Sequence, residues 1–209
     1  MKIGIIGAGM IGGTLAARLA DLGHDIVIAN SRGPETLAGL VAELGGAVRA
    51  GTVAEAAEAG EVVILAIPYG RYRELPAASF AGRIVVDTNN YVPARDGHIA
   101  ELDSGATTSS EAVAAHLPGA SVVKAFNTIY FVRLRDEGHP GLPAAERLAI
   151  PVAADDPRAK AVVLDLIDAL GFAPVDAGPL SEGRRQEYGK PVFNNPVGPD
   201  EAVRLLARG

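Results

Sequence analysis

The chain has 209 residues, enough for one substantial hydrophobic core and too few for two large domains. Its formal net charge is −6 and it has no run of lysine or arginine, which disfavours binding to nucleic acid or to an anionic membrane. The absence of cysteine excludes disulfides, thiolate metal sites and thiol catalysis. With no signal-peptide pattern after Met1 and no apolar run of membrane-spanning length, the sequence predicts a cytoplasmic protein.

Short apolar strands alternate with amphipathic helices along the first two thirds of the chain. A strand is predicted over residues 2–6, followed by a glycine-rich loop and a helix that Gly23 ends. A second strand over 25–29 precedes a helix beginning at Pro34. Capping-box sequences at Thr52 and Thr108 each open a helix. Further strands are predicted over residues 47–50, 61–67, 83–87 and 121–126.

The layout changes after residue 137. A strand is predicted over 147–153, where Pro151 indicates an edge position or a bulge. A helix from Pro157, a strand over 172–176 and a short helix over 200–207 follow. Strand–helix alternation is typical of an α/β fold with a doubly wound, mostly parallel Rossmann sheet. We expect a Rossmann domain at residues 1–137 and a small C-terminal α/β extension at 138–209 that packs on the same sheet.

The loop Gly7-Ala8-Gly9-Met10-Ile11-Gly12 joins the first strand directly to the first helix, the context that a dinucleotide-binding G-x-G-x-x-G sequence requires. The first glycine permits the tight turn, the second lets the backbone approach a pyrophosphate, and the third allows close helix–strand packing. The alternative is a plain strand–turn–helix with incidental glycines. The loop therefore predicts a dinucleotide bound by Gly7, Gly9, Met10, Ile11 and Gly12.

Asn30-Ser31-Arg32 ends the second strand, where an NAD-specific site normally has Asp or Glu. A carboxylate repels a 2′-phosphate, whereas a hydroxyl and a guanidinium bind it with charge-assisted hydrogen bonds. The helix that opens at Gly33-Pro34 is expected to point its amides at the same anion. Alternatively, Ser31 only caps that helix and Arg32 is a solvated charge. The missing acid favours NADP(H) over NAD(H), bound by Asn30, Ser31 and Arg32.

Other strand ends are candidates for contact with the nicotinamide, because ligands of such sheets sit beyond the carboxyl ends of the strands. Asn and Thr side chains can hold a carboxamide without charge, although they also serve purely structural turns. The predicted cofactor-binding residues at these ends are Ala66, Ile67, Pro68, Asn89, Asn127 and Thr128.

Neither an acid–base constellation nor a metal-ligand spacing emerges. The four histidines are scattered, and Tyr69-x-x-x-Arg73 lacks the lysine of a Tyr-x-x-x-Lys dehydrogenase pair. Lys124 lies inside an apolar strand and could line the site or extend to solvent. Reducing a ketone usually needs a proton donor, whereas hydride transfer to a flavin-like ring does not. We therefore expect no catalytic side chain, no metal, and a ring as hydride partner.

With these motifs the chain resembles the F420:NADP⁺ oxidoreductases, NADPH-dependent reductases of the deazaflavin coenzyme F420. The match covers Gly7 to Gly13 with Leu22-Gly23-His24, Asn30-Ser31-Arg32, Leu65-Ala66-Ile67-Pro68, and Pro151 to Asp156 followed by Asp176-Ala177-Gly178-Pro179-Leu180. The resemblance implies a C-terminal extension that closes the acceptor cleft, and a homodimer. It also implies that Gly9 to Gly12 contact the pyrophosphate, Ser31 and Arg32 the 2′-phosphate, and Ile67 and Pro68 the dinucleotide.

Two departures bear on the hydride acceptor. Ser181 to Lys190 is polar where deazaflavin reductases tend to have a long apolar helix. Lys124-Ala125-Phe126-Asn127-Thr128 is nearer to relatives that resemble the reductase domain of eukaryotic ferric reductases, which use flavin or have no assigned acceptor. The sequence thus predicts an NADPH-dependent oxidoreductase whose small-molecule hydride partner is F420 or FMN/FAD.

Two alternatives stay open. A reductase of a small imine or carbonyl substrate would need a proton donor, for which Lys124, Tyr130 and Tyr188 are the candidates. A non-catalytic NADP(H)-sensing module would bind NADPH without turnover.

Overall fold

The computed structural model describes residues 1–209 and contains one eight-stranded sheet. Its strands are short runs of mostly buried β-branched or small residues, as expected where both faces of a sheet are covered. They are β1 (Lys2–Ile6), β2 (Asp25–Ala29), β3 (Val48–Ala50), β4 (Val62–Leu65), β5 (Ile84–Asp87), β6 (Ser121–Lys124), β7 (Ala149–Ala154) and β8 (Ala173–Gly178).

The strand order is β3-β2-β1-β4-β5-β6-β7-β8. The strands from β3 to β6 are parallel, β7 is antiparallel to β6, and β8 is parallel to β7. The chain first moves outward from β1 to β3 and then returns to place β4 on the other side of β1. This reversal creates a switch point, beyond whose carboxyl ends such sheets bind ligands.

Helices cover both faces of the sheet. They are α1 (Met10–Asp21), α2 (Ala38–Leu44), α3 (Val53–Ala59), α4 (Pro93–Asp96), α5 (Ala100–Asp103), α6 (Ser109–His116), α7 (Phe131–Asp136), α8 (Pro157–Ala169) and α9 (Pro199–Leu206). Ile3 and Ile5 of β1 join the core that α1, α7 and α8 cover, whereas Ile6 joins the core under α3 and α6. The predicted doubly wound, mostly parallel α/β fold is confirmed.

The starts of the longer helices differ in how they are capped. Thr52 and Thr108 each form the predicted capping box, with Glu55 and Glu111 respectively. The Asp156 carboxylate accepts hydrogen bonds from two backbone N–H groups at the start of α8. By contrast, the N-cap of α1 is Gly9, and this helix, like α2 and α7, has neither a side-chain cap nor an acidic residue in its first turn. Its first N–H groups are therefore left for another acceptor.

The helix predicted to start at Pro34 needs a correction. The chain first forms a four-residue 3-10 helix, Pro34–Leu37, and α2 starts only at Ala38. Side-chain hydrogen bonds explain the tight turn: Asn30 Nδ2 donates to Thr36 Oγ1 at 2.8 Å, and Thr36 Oγ1 donates to the Gly33 carbonyl at 2.7 Å. A helix thus opens at Pro34 as expected, but as a 3-10 turn, and the direction of its N-terminal amides toward a 2′-phosphate stays a prediction.

Pro151 lies in β7, an interior strand, but on the side of β6 it is locally at an unpaired edge, and the predicted bulge is confirmed beside it. The register between β7 and β8 shifts between Val152 and Ala153. On its other side, β7 pairs with β6 only through Ala153 and Ala154. Because no β6 residue is paired with Pro151, its missing N–H removes no hydrogen bond from that ladder.

The predicted division at residue 137 falls in the loop between α7 and β7. The segment after it adds β7 and β8 to the same sheet, covered partly by α8 and α9. The domain boundary itself stays a prediction. Every helix in the structure is too short or too polar to cross a membrane.

Candidate functional site

The loops after β1, β2 and β4 enclose a groove of about 510 Å³ at the carboxyl ends of these strands. This volume is in the range of small-molecule and cofactor sites. Three motifs that are separate in the sequence meet there, and their predicted residues that line the groove are Gly7, Gly9, Asn30, Ser31, Arg32, Ala66, Ile67 and Pro68.

The glycines of the phosphate loop serve two different purposes. A Cβ on Gly7, whose φ is +111°, would lie 2.0 Å from the Ala66 carbonyl oxygen, and one on Gly12 would lie 1.8 Å from the Gly7 carbonyl oxygen. The fold itself therefore requires glycine at both positions. A Cβ on Gly9 would meet no protein atom within 4 Å, although Gly9 lines the groove. Glycine at that position instead leaves open the space in which a pyrophosphate would approach the backbone, so the loop fits the predicted dinucleotide.

Met10, Ile11 and Gly12 form the first turn of α1 and do not line the groove. Their backbone N–H groups belong to the uncapped helix start, where an anion is favoured by free donors and by the helix dipole. The exposed side chain of Met10 and the buried position of Gly12 leave the backbone as the part of this turn that can contact a phosphate.

The turn after β2 presents Ser31 and Arg32 to solvent. The Asn30 side chain is used within the turn, where its Oδ1 accepts from the Arg32 N–H at 2.8 Å while its Nδ2 binds Thr36. The side chains of Ser31 and Arg32 are exposed and make no hydrogen bond or ion pair. A hydroxyl and a guanidinium are thus available for a phosphate, whereas Asn30 shapes the turn.

Asn89, Asn127 and Thr128 are buried and do not line the groove. Asn89 Oδ1 accepts from the Ile67 N–H at 3.0 Å, which ties the end of β5 to the loop after β4. Asn127 Nδ2 donates to Asn90 Oδ1 at 3.0 Å, and Asn90 Nδ2 donates to the Asn127 carbonyl at 2.9 Å. The structure thus gives these asparagines a role in joining the strand ends. Asn89 Nδ2 is a buried donor without a protein partner.

Gln186 is a central residue of this edge that the sequence did not indicate, because it lies in a polar segment. It is wholly buried, and its Nε2 donates to Asn127 Oδ1 at 2.9 Å and to the Pro151 carbonyl at 3.3 Å. Its own carbonyl accepts from Asn127 Nδ2 at 2.6 Å. Gln186 therefore bridges the gap where β6 and β7 are not paired.

Lys124 is wholly buried, so it neither lines the site nor extends to solvent. Its Nζ donates to the Asn89 carbonyl at 3.2 Å and lies 3.8 Å from Asp87 Oδ2. The hydroxyls of Ser109 and Ser110 accept from the same amine at 3.0 and 3.1 Å, and Ser110 in turn donates to Asp87 at 2.6 Å. Because its amine is buried and fully engaged in this network, Lys124 cannot donate a proton to a substrate in the groove.

The Tyr69 hydroxyl is likewise inaccessible to a substrate. It donates to the Ser109 carbonyl at 3.1 Å, and the side chain is fully buried. Burial, and secondarily the neighbouring Tyr72, raises the pKa of the Tyr69 phenol. The phenol therefore stays protonated at neutral pH.

Part of the groove was missed by the sequence interpretation. A 3-10 helix over Tyr69–Glu74 follows β4 and brings Arg71 and Glu74 to the groove. Leu75 and Pro76 follow this helix, and Val53 of α3 completes this part of the lining. The Arg71 guanidinium and the Glu74 carboxylate form an ion pair at 2.5 Å. Only the fold brings these side chains beside the turn after β2, so no local motif could have identified them.

We expect Gly9→Ala to affect mainly cofactor binding and Gly12→Ala to affect mainly the stability of the fold. Gly9→Ala should change the free energy of unfolding by less than about 1 kcal/mol, because its backbone is extended and its Cβ is unobstructed. It should weaken NADPH binding at least about tenfold by occupying the pyrophosphate space. Gly12→Ala should destabilise the protein by about 1–3 kcal/mol or more through overpacking. Urea unfolding and NADPH fluorescence titration measure these effects.

Gly13→Ala is the matched control, because a Cβ there also meets no atom within 4 Å. It should bind NADPH like the wild type. Unchanged NADPH affinity in Gly9→Ala would contradict the assignment of Gly9 to the pyrophosphate.

Lys124→Met should lower the free energy of unfolding by about 3–5 kcal/mol, because Asp87 is left buried without its cation. Adding Asp87→Asn should recover part of that loss, since the uncompensated charge is removed. Urea unfolding measures both variants. Lys160→Met, which breaks a partly exposed pair with Asp176, is the control and should cost about 1 kcal/mol or less. A double variant no more stable than Lys124→Met would show that charge balance does not govern this cluster.

Comparison with known proteins agrees with the geometry of the site. Residues 2–91 match the family described as NADP oxidoreductase coenzyme F420-dependent. A hypothetical protein from Sinorhizobium meliloti is 35% identical, with a TM-score of 0.80 over 95% of each chain. A protein of Arthrobacter sp. FB24, described as a proposed F420-dependent NADP reductase, is 29% identical, with a TM-score of 0.75 over 88% of this chain and 87% of that one.

Two further proteins match the chain over part of their own length. The metalloreductase STEAP3 of Rattus norvegicus is 32% identical over 188 residues, which are 89% of this chain and 36% of that protein. The chain thus spans about a third of this relative. The 3-hydroxyisobutyrate dehydrogenase of Mycobacterium tuberculosis, at 18% identity and a TM-score of 0.62 over 86% of this chain and 55% of that one, shares the fold. Residues 2–91, which contain the phosphate loop and the Asn30-Ser31-Arg32 turn, thus belong to the family described as NADP oxidoreductase coenzyme F420-dependent, a family of NADP-linked oxidoreductases.

Proposed function

We propose that the protein transfers a hydride between NADP(H) and a flavin-like ring, either F420 or FMN/FAD, without a side-chain acid or base. The observation that carries this proposal is the chemistry of the strand ends. Asp87 and Lys124 are the charged residues at the ends of β5 and β6. Both are wholly buried, and they form an ion pair with each other. The groove beside them is lined by apolar groups, backbone and an Asn–Ser–Arg turn, with Arg71 and Glu74 as its other charged residues.

NADPH, when bound, supplies the hydride. In this proposal the chain binds and orients it: the backbone around Gly9 holds the pyrophosphate, and Ser31 and Arg32 hold the 2′-phosphate. Ile67 and Pro68 form the wall of the groove after β4. A ring acceptor needs no proton from a side chain, since its ring nitrogen exchanges protons with water.

We also propose that the C-terminal extension closes the acceptor cleft. Two contacts support this role. Gln186 binds Asn127 at the end of β6, and Glu187 Oε1 accepts from the backbone N–H and the hydroxyl of Ser109 at 2.9 and 2.7 Å. These contacts hold the segment after β8 against the strand ends. Homodimer formation and a cytoplasmic location stay predictions.

The imine or carbonyl reductase remains a second candidate because of two tyrosines. Lys124 is too deeply buried to donate a proton, but the Tyr130 and Tyr188 side chains are 50% and 53% exposed. Tyr130 lies two residues beyond Thr128, and Tyr188 two residues beyond Gln186. These hydroxyls are therefore the ones to remove in a test.

Mixing the purified chain with NADPH and following its absorbance tests the acceptor. We expect oxidation with F420, FMN or FAD, and none without an acceptor or with a small imine or ketone. The variant Tyr130→Phe/Tyr188→Phe should keep the wild-type rate with the ring acceptor. Oxidation only by the imine or ketone, with loss of rate in the tyrosine variant, would favour the second candidate. NADPH binding without turnover would favour a sensing module.

Arg32→Ala should weaken NADPH binding at least about tenfold and NADH binding less than about threefold, because a charge-assisted hydrogen bond to the 2′-phosphate is lost. Fluorescence titration with each nucleotide measures the two dissociation constants. Arg49→Ala, which removes an exposed arginine of β3 outside the groove, is the control for net charge. Equal losses for NADPH and NADH would show that Arg32 does not recognise the 2′-phosphate.

A further inference from the structure

Arg71 is a second guanidinium on the lining of the groove that holds Ser31 and Arg32. It lies on the 3-10 helix Tyr69–Glu74, and its side chain is 48% exposed. Its Nε donates to both Glu74 carboxylate oxygens at 3.1 and 3.0 Å, and its Nη2 donates to Oε2 at 2.5 Å. Its Nη1 makes no hydrogen bond in the structure. The guanidinium is thus held in place while part of it stays free to donate.

A phosphate on the turn after β2 would need more donors than that turn supplies. Arg32 is the turn's guanidinium, and a phosphate monoester offers three strong acceptor oxygens. Arg71 is the other guanidinium among the residues that line the groove. Because Glu74 already offsets the charge of Arg71, its contribution is the free Nη1 donor.

The lining of the groove also offers apolar surface. Leu75 and Pro76 come directly after the helix that carries Arg71, and Val53 of α3 lines the groove as well. A planar base can rest against such side chains, and a guanidinium can stack on its face as well as donate to a phosphate. This combination of apolar surface and cation matches an adenosine that carries a phosphate on its ribose.

We infer that Arg71 and Arg32 together bind the 2′-phosphorylated adenosine of NADP(H), with Glu74 holding Arg71 in position. The inference rests on the proposed NADP(H) function and adds a specificity-determining residue to it. Arg71 comes from the loop after β4, whereas Arg32 comes from the loop after β2. The 2′-phosphate is thus recognised from two loops that meet only in the folded protein.

Binding of adenosine 2′,5′-bisphosphate and of adenosine 5′-monophosphate to the full chain, measured by calorimetry, tests this inference. Arg71→Ala should weaken binding of the bisphosphate about tenfold or more, as expected for a lost charge-assisted hydrogen bond. The same variant should weaken binding of the monophosphate less than about threefold. Arg71 is on the surface, so unfolding by urea should show unchanged stability to within about 0.5 kcal/mol.

Arg73→Ala is the matched control. It removes the same charge from the same 3-10 helix, but Arg73 donates to the Tyr72 hydroxyl at 3.0 Å and does not line the groove. It should change bisphosphate affinity less than twofold. Equal losses in the Arg71 and Arg73 variants, or no loss in the Arg71 variant, would overturn the inference.

The wild-type protein separates this inference from the proposed function. A wild type that binds the bisphosphate no better than the monophosphate would contradict NADP(H) preference itself. A wild type that prefers the bisphosphate, together with an Arg71→Ala variant of unchanged preference, would contradict only the role of Arg71.

Discussion

A buried ion pair holds the edge of the sheet on which the site is built. Asp87 and Lys124 are register partners on neighbouring strands, at the point where both strands end. Burying a charge costs several kcal/mol unless a partner and hydrogen bonds compensate it. Ser109, Ser110 and the Asn89 carbonyl supply those bonds, so the start of α6 and the loop after β5 must keep their positions. The strand ends therefore present a rigid frame to a ligand.

Around this frame, the polar groups at the strand ends are of two kinds: some are hydrogen-bonded within the protein, and others are free to bind a ligand. The amides of Asn90, Asn127 and Gln186 pair with one another across β5, β6 and β7. Free donors remain on Arg32, which lines the groove, and at the uncapped start of α1. Polar groups that are already paired gain little from a ligand, whereas free donors beside open space gain a great deal. Under the proposed function, recognition falls mainly on the phosphates of the dinucleotide, and its redox end would lie among uncharged groups.

Local sequence signals predicted the strands, the capping boxes and the phosphate loop, because each depends on residues near one another in the chain. They could not predict where Lys124 lies, since its burial depends on serines of α6 and on a carboxylate of the neighbouring strand. The burial of Gln186 was not predicted either, because a glutamine in a polar segment is usually exposed. The 3-10 turn at Pro34 reflects the side chains of Asn30 and Thr36, which outweighed the helical pattern that follows. The groove residues after β4 could be identified only from the fold, which brings the loop after β4 beside the loop after β2.

Because α1 has no side-chain cap, a bound cofactor would supply hydrogen-bond acceptors to its first turn and so stabilise the folded protein. Side chains of the protein cap the starts of α3, α6 and α8, whereas the first N–H groups of α1, beside the groove, are left to water or a ligand. A ligand that binds only the native state stabilises it by mass action, by about 2.7 kcal/mol at a hundredfold excess over its dissociation constant. Under the proposed function, we expect molecules without NADP(H) to open most often and to be removed first by proteases. The abundance of the protein would then follow the supply of its cofactor.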